Sequence, residues 1–241
     1  MNIEVEQIKI GSLTINVTRK DIKNIHLSVY PPGGDVKISA PLRMDLESIR
    51  LYVLSKFVWI KSQQSRFRSQ VREVPREYIN RESHYYRGKR YLLQIIEENA
   101  PTKVVLRHHT LELHVRPGTP EEKRQQIMEE WYRSQLKRML PLLIAKWEKN
   151  MGVEVTTFGI KKMKTKWGTC NSDAKRIWLN LELAKKPQGC LEYILVHEMV
   201  HLLERKHNDR FIELMTEFFP KWKYYQEKLK LLPMKQETWN Y

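Results

Sequence analysis

The stretch that decides the fold is His197-Glu198-Met199-Val200-His201, which lies toward the end of the 241-residue chain. Because its two histidines are four positions apart, an α-helix projects both imidazoles from one face, one turn apart. The residues before it, Tyr193-Ile194-Leu195-Val196, are apolar and typical of a helix buried in a core. The pattern therefore predicts a buried helix that presents two imidazoles and one carboxylate.

Two imidazoles at this spacing can bind one Zn²⁺, and Glu198 can take a proton from a water activated at the metal. A catalytic zinc site needs about three protein ligands. His207, six residues after His201, is the expected third ligand. Weaker alternatives are Glu204, Glu213 and Glu217.

The same six-residue offset occurs in metzincin proteases, where a glycine three residues after the second histidine ends the helix. Glu204 stands at that position here. The chain must therefore turn without the glycine, and we expect Lys206 or Asn208 to adopt a left-handed backbone conformation.

Composition excludes several protein classes. No apolar run approaches the roughly 18 residues that span a bilayer, and the N-terminus has no signal-peptide pattern, so we expect no membrane partner. With only Cys170 and Cys190, a disulfide scaffold is excluded and a cytoplasmic location is expected. The net charge of +15 fits an anionic partner, either nucleic acid or a phosphorylated small molecule, or simply a basic surface.

The hydrophobic pattern predicts an α+β fold in two regions. Residues 1–118 are expected to be β-rich with one helix, which begins after Asp45. Residues 119–241 are expected to be helical and to contain the metal-hydrolase core. Thr119 is expected to cap a long helix with Pro120 at its first position, and Pro141 to kink or divide it.

Two strands are expected before the motif helix, Phe158–Lys164 and Ile177–Leu183, with the polar segment Gly168–Lys175 between them. Trp167 and Gly168 are candidate substrate contacts, since an extended peptide can add to a strand edge beside such a site. Lys166 and Arg176 are candidates to neutralise an anionic substrate, and a solvated strand edge is the plainer alternative.

Several segments together resemble the YgjP-like metallopeptidase family, which is related to SprT-like proteases. The likeness covers most of the chain and is carried by Trp167-Gly168-Thr169-Cys170, Arg176-Ile177-Trp178-Leu179-Asn180-Leu181-Glu182-Leu183, Pro187, Val196-His197-Glu198-Met199-Val200-His201 and His207-Asn208-Asp209-Arg210-Phe211. The resemblance implies a zincin-like core, in which the motif helix packs on a small twisted sheet. It also implies zinc bound by His197, His201 and His207.

We therefore expect a zinc-dependent hydrolase, foremost an intracellular metallopeptidase that uses Glu198 to activate water. The family is also linked to hydrolysis of nucleoside triphosphates, UTP in particular, and that remains an alternative. A nucleic-acid-associated peptidase similar to SprT-like proteins is a third reading, and a zinc-stabilised binding module a fourth. Manganese, nickel or cobalt could replace zinc at such a site.

Overall fold

The structure is a computed structural model with an α+β fold, as predicted. It describes residues 5–30, 33–69, 76–163 and 166–231. None of the helices in these ranges is both long enough and apolar enough to cross a membrane.

The chain forms two compact units, residues 1–72 and residues 73–241. The boundary expected between residues 118 and 119 therefore lies inside the second unit. The reason is a shared core: Leu111 and Leu113, which precede that position, belong to the same buried cluster as Met128 and Leu136, which follow it.

In the part of the first unit that the structure describes there are one sheet and two helices. Its elements are β1 (Val5–Ile10), β2 (Leu13–Lys20), β3 (His26–Tyr30), β4 (Asp35–Pro41), α1 (Leu46–Ser55) and α2 (Phe57–Ser69). The strand order is β1-β2-β4-β3, with β2 and β4 parallel and the other pairs antiparallel.

The single helix expected after Asp45 is two helices. Asp45 does cap the first, since its carboxylate accepts a hydrogen bond of 2.6 Å from the Ser48 amide. The helix then ends at Lys56, whose φ of −104° and ψ of 4° leave the helical range. Ile49 of α1 and Ile60 of α2 both lie in the buried core of this unit, so the two helices share one apolar cluster.

The second unit contains two sheets and four α-helices among the described residues. Its elements are β5 (Ser83–Tyr86), β6 (Lys89–Glu97), β7 (Lys103–Leu106), β8 (Thr110–Val115), α3 (Glu121–Met151), β9 (Thr157–Lys161), β10 (Gly168–Asn171), β11 (Arg176–Asn180), a 3₁₀ helix (Leu181–Lys185), α4 (Gln188–Val200), α5 (Asp209–Phe218) and α6 (Trp222–Leu231). The four-stranded sheet has the order β5-β6-β8-β7, and the three-stranded sheet has the order β10-β11-β9.

Helix α3 differs from its expected form at the start. Pro120 is the capping residue rather than the first helical one, and the Thr119 hydroxyl donates to the Arg116 carbonyl instead of capping the helix. The helix continues through Pro141 without dividing. It ends at Gly152, whose φ of 65° is the left-handed conformation that glycine accepts without strain.

The three-stranded sheet also differs from the prediction made from the sequence. The segment expected to be a polar connection contains a strand, β10, which pairs antiparallel with β11 from Gly168↔Leu179 to Asn171↔Arg176. Its residues are small or polar and mostly half-buried, so β10 lacks the alternating hydrophobic pattern that predicts a strand. The preceding strand, β9, ends at Lys161, and Lys164, where it was expected to end, lies outside the described residues.

Beyond Asn180 the chain leaves the extended conformation earlier than expected and forms the 3₁₀ helix. The Asn180 side chain caps this helix by accepting a hydrogen bond of 3.1 Å from the Glu182 amide. The 3₁₀ helix leads directly into α4, so the end of β11 sets the starting point of the motif helix.

A close contact in the three-stranded sheet gives a stability prediction. Trp178 of β11 pairs with Gly159 of β9, and a Cβ at Gly159 would lie 2.2 Å from the indole ring. We expect Gly159→Ala to displace the ring and lower the free energy of unfolding by about 1–3 kcal/mol. Calorimetric unfolding measures this, with Gly33→Ala as the reference, because a Cβ there meets only an Asp35 oxygen at 3.5 Å. Equal stability of Gly159→Ala and the wild type would contradict the contact.

Candidate metal centre

Helix α4 is buried on most of its surface, as the apolar approach to the motif predicted. Nine of its thirteen residues are buried: Cys190, Leu191, Tyr193, Ile194, Leu195, Val196, Glu198, Met199 and Val200. His197 lies on this helix and is only partly buried, and His201 is the capping residue that follows its last turn. The partly exposed imidazoles thus lie on the side of the helix that the core leaves open.

Three imidazoles converge at this opening. One ring nitrogen from each of His197, His201 and His207 lies within 4.8 Å of the others. Nε2 of His197 and Nε2 of His207 lie 3.1 Å apart. Among the described residues this cluster contains neither Glu204, Glu213 nor Glu217, the weaker alternatives.

A phenylalanine that the sequence did not predict as part of the site packs against all three rings. Phe211 of α5 is 5% exposed, and its ring centroid lies 5.0, 4.8 and 4.6 Å from those of His197, His201 and His207. The phenyl ring therefore forms an apolar floor beneath the imidazoles. The only sequence signal for it was its place in the family-like segment that begins at His207.

The turn between His201 and His207 does not use a left-handed residue, so that expectation was wrong. Neither Lys206 nor Asn208 has a positive φ, and Asn208 has a φ of −97° as the capping residue of α5. Instead the Glu204 carboxylate accepts a hydrogen bond of 3.0 Å from the Lys206 amide and stabilises the turn. A side chain thus replaces the glycine.

Glu204 also orients a histidine through its backbone. Nδ1 of His201 lies 3.1 Å from the Glu204 carbonyl oxygen. Because a carbonyl only accepts, Nδ1 must carry the proton, which leaves the lone pair of Nε2 available to a metal.

The electrostatics of the cluster favour uncharged rings. Burial, reinforced by the two neighbouring imidazoles, lowers the pKa of His197 to about 4. Burial also lowers the pKa of His201. At neutral pH His197 and His201 therefore offer uncharged nitrogen donors, and together with His207 they form a set that fits a divalent transition metal.

Glu198 lies beside this cluster in an apolar environment. It is 6% exposed, and burial raises its pKa to about 7, against the opposing effect of the Lys166 charge. Gly168 of β10 lies directly over it, since a Cβ there would come within 2.7 Å of Oε1 of Glu198. The missing side chain at Gly168 is what lets the strand approach the carboxylate.

These groups open into a cavity of about 590 Å³ between β10, α4 and the loop from His201 to His207. Of the expected substrate contacts, Lys166, Trp167 and Gly168 line it. Arg176 does not: it is exposed at the far end of the β10–β11 hairpin, opposite Asn171.

Arg205 and Cys170 also line the cavity. Arg205 forms an ion pair with Asp173, a contact that no sequence pattern indicated. Burial together with the charge of Glu198 raises the pKa of the Cys170 thiol to about 11. A thiol that stays protonated at neutral pH is a poor nucleophile.

Asn180, which is 3% exposed, fixes the backbone near Lys166 at one side of the cavity. Its Nδ2 donates to the carbonyls of Met163 and Lys166, at 2.8 and 2.7 Å. Its own backbone amide donates to the Trp167 carbonyl at 2.9 Å. One side chain thus fixes both ends of the segment that carries Lys166.

Three imidazoles and a buried carboxylate in one cavity are a set of groups typical of metal-dependent hydrolases. Residues 23–231 match the family model described as YgjP-like, metallopeptidase domain. The chain therefore belongs to the YgjP-like metallopeptidase family, which confirms the resemblance stated from the sequence.

A search of the curated proteins finds no match. Among solved structures, the chain is similar to the metallopeptidase zymogen of Pyrococcus abyssi abylysin, with 20% identity and a TM-score of 0.37. The similarity covers 41% of this chain and 100% of that one. It is too low to carry a conclusion about this protein.

The hydrogen bonds of Asn180 give a prediction about local order. We expect Asn180→Asp to loosen Met163, Lys166 and Trp167, because a carboxylate keeps the accepting oxygen but loses both donated hydrogen bonds. Faster hydrogen exchange of the Lys166 and Trp167 amides would measure the change. Asn80→Asp is the matched control, since the exposed Asn80 side chain accepts from the Ile95 amide and the change should leave the exchange of Lys166 and Trp167 unchanged. Unaltered exchange in Asn180→Asp would contradict the role of the amide.

Proposed function

We propose that the protein is a zinc-dependent metallopeptidase in which His197, His201 and His207 hold the ion and Glu198 is the general base. The observation that carries the proposal is the convergence of three imidazoles beside a buried carboxylate. Membership of a metallopeptidase family supports it. Contact of α4 with the three-stranded sheet through Gly168 and Glu198 fits the zincin-like core that we include in the proposal.

Zinc is the metal that we favour. Three nitrogen donors suit Zn²⁺ better than Mg²⁺ or Ca²⁺, which prefer oxygen ligands. Manganese, nickel and cobalt also accept imidazole, and their use depends on supply rather than geometry. When bound, zinc would polarise the substrate carbonyl and acidify a water molecule.

The residues of the chain supply the remaining chemistry. Glu198 takes the proton of the attacking water and returns it to the leaving amine. Its apolar surroundings, with Gly168 directly over the carboxylate, keep bulk water away from this proton. Phe211 limits the freedom of the imidazoles from below, so the base and the ligands keep a constant relation.

A peptide is the substrate that the strand beside the site fits best. β10 is an edge strand of its sheet. Because the Asn180 amide donates to the Trp167 carbonyl, the backbone groups of Trp167 face β11. In an antiparallel pair the facing alternates, so the N–H and C=O groups of Gly168 and Cys170 point away from β11. An extended peptide can pair with these groups beside the imidazoles.

Two other readings receive less support. A nucleotide hydrolase needs cations near the metal, and both Lys166 and Arg205 line the cavity. Arg205, however, already pairs with Asp173. The family match supports neither nucleoside triphosphates nor nucleic acid, so nucleotides serve below as the competing substrates.

The ligand assignment predicts the metal content of single variants. We expect the wild type to bind one zinc ion, and His197→Ala, His201→Ala and His207→Ala each to bind it at least about 100-fold more weakly, because losing a direct ligand should cost more than losing an outer partner. Competition with a chelator, followed by metal analysis, measures the affinity. His26→Ala, an exposed histidine of the first unit, is the control and should behave as the wild type. Undiminished affinity in His207→Ala would remove the third ligand.

The assignment of the base predicts the effect of Glu198→Gln. We expect this variant to keep its zinc and to hydrolyse casein at least about 100-fold more slowly, because the amide cannot accept the proton. The matched control is Glu213→Gln on the exposed face of α5, which should retain full activity.

A nucleoside triphosphate panel run in parallel decides between the two hydrolase readings. Release of pyrophosphate by the wild type but not by Glu198→Gln, with casein untouched, would replace the peptidase by a nucleotide hydrolase. If neither casein nor nucleotides were consumed, the enzymatic proposal would fail.

A further inference from the structure

Positively charged side chains outnumber negatively charged ones in the lining of the cavity. Two side chains carry positive charge, Lys166 and Arg205, and Glu198 is the one carboxylate among the lining residues that the structure describes. Any ion held by the three imidazoles would add further positive charge. The cavity is therefore suited to a negatively charged group of a substrate, beyond the peptide bond itself.

The two cations are not equivalent. Arg205 forms an ion pair with Asp173, which lies in the turn that follows β10. Lys166 forms no ion pair with any residue in the described part of the chain, and its side chain is exposed at the cavity. Lys166 is thus the cation left available to a ligand.

The position of Lys166 is fixed although its side chain is exposed. Nδ2 of the buried Asn180 donates to the Lys166 carbonyl at 2.7 Å. The next residue, Trp167, is held through its own carbonyl by the Asn180 amide at 2.9 Å. An ammonium group on an anchored backbone loses less freedom when it binds a carboxylate than one on a mobile loop would.

The direction of β10 tells which part of a peptide Lys166 would meet. A peptide that pairs antiparallel with β10 runs from Cys170 toward Gly168 as its own sequence advances. Gly168 lies against Glu198, which places the bond to be cleaved near this residue. Lys166 lies two residues further in the same direction, or about 7 Å at the rise of a strand. It therefore faces residues that follow the cleaved bond.

We propose that Lys166 selects peptides that carry a carboxylate one or two residues after the cleaved bond. This inference rests on the proposed peptidase function and specifies its substrate class. The carboxylate can be an Asp or Glu side chain or the free carboxyl terminus of the peptide, because both offer the same group to the ammonium.

Matched peptide sets test the proposal. One set carries Glu, Gln or Lys at each position around the cleaved bond with an amidated terminus, and a second carries Gln with a free or amidated terminus. We expect kcat/KM of the zinc-loaded wild type to be about tenfold higher for Glu than for Gln after the bond, and unchanged before it. The two sets distinguish an acidic side chain from a terminal carboxylate.

Charge reversal at Lys166 is the decisive variant. Lys166→Met should bring the Glu-to-Gln ratio close to one, and Lys166→Glu should invert it in favour of Lys. The ratio of two substrates cancels any effect that Lys166 has on Glu198, which would change both rates equally. Lys137→Glu, an exposed lysine in the middle of α3, is the matched control and should keep the wild-type ratio. Wild-type zinc content in each variant excludes misfolding.

A binding measurement keeps the inference separate from the proposed function. Zinc-loaded Glu198→Gln should bind the Glu peptide about tenfold more tightly than the Gln peptide in calorimetry, and the double variant with Lys166→Glu should not. Binding with this preference but without hydrolysis by the wild type would overturn the peptidase and retain the charge selection. Cleavage with no preference, or a preference that survives Lys166→Glu, would overturn the selection and retain the peptidase.

Discussion

The site depends on the crowding of three imidazoles against an apolar floor. With Nε2 of His197 only 3.1 Å from Nε2 of His207, two protonated rings would repel each other strongly. Burial acts in the same direction, and the pKa of His197 accordingly falls to about 4. Two ring nitrogens this close can share one proton in a hydrogen bond, or a cation between the rings can accept the lone pairs of both. The close approach of the rings therefore fits the metal site that we propose.

Neighbouring elements of the second unit hold α4 in the position that this crowding requires. The amides of Arg87 and Gly88, in the turn between β5 and β6, donate to the carbonyls of Ala184 and Lys185, at 2.9 and 3.0 Å. Gly88 has a φ of 79°, and a Cβ there would come within 2.7 Å of Pro187, the residue before α4. The four-stranded sheet thus supports the start of the motif helix, while β10 supports its glutamate. A shift of either sheet would therefore disturb the helix that carries both Glu198 and His197.

Sequence spacing could predict the parts of the site that depend on local geometry. His197 and His201 share a helix face because the helix repeats every 3.6 residues, and that rule needs no tertiary information. Arg176 shows where such reasoning stops. It follows Lys166 in the chain by ten residues, yet the hairpin register places it opposite Asn171, away from the cavity. Arg205 was not predicted to line the cavity. Its partner Asp173 lies in a different loop, and no pattern within one segment indicates such a contact. Register and loop contacts arise from pairing between segments, which a single-sequence pattern does not contain.

Charge, too, can be counted from the sequence, but its placement depends on contacts between segments. A net charge of +15 predicts an anionic partner for the chain as a whole, but it assigns no residue to that task. Most of the basic side chains that the structure describes are exposed, where water and salt screen them and surface pairs contribute little. Lys166 differs because Asn180 fixes its backbone next to a partly enclosed cavity, within range to lower the pKa of Glu198. A charge that acts on the base also acts on any substrate group at the same distance. One anchored lysine therefore tells more about substrate choice than the excess of basic residues over the whole chain.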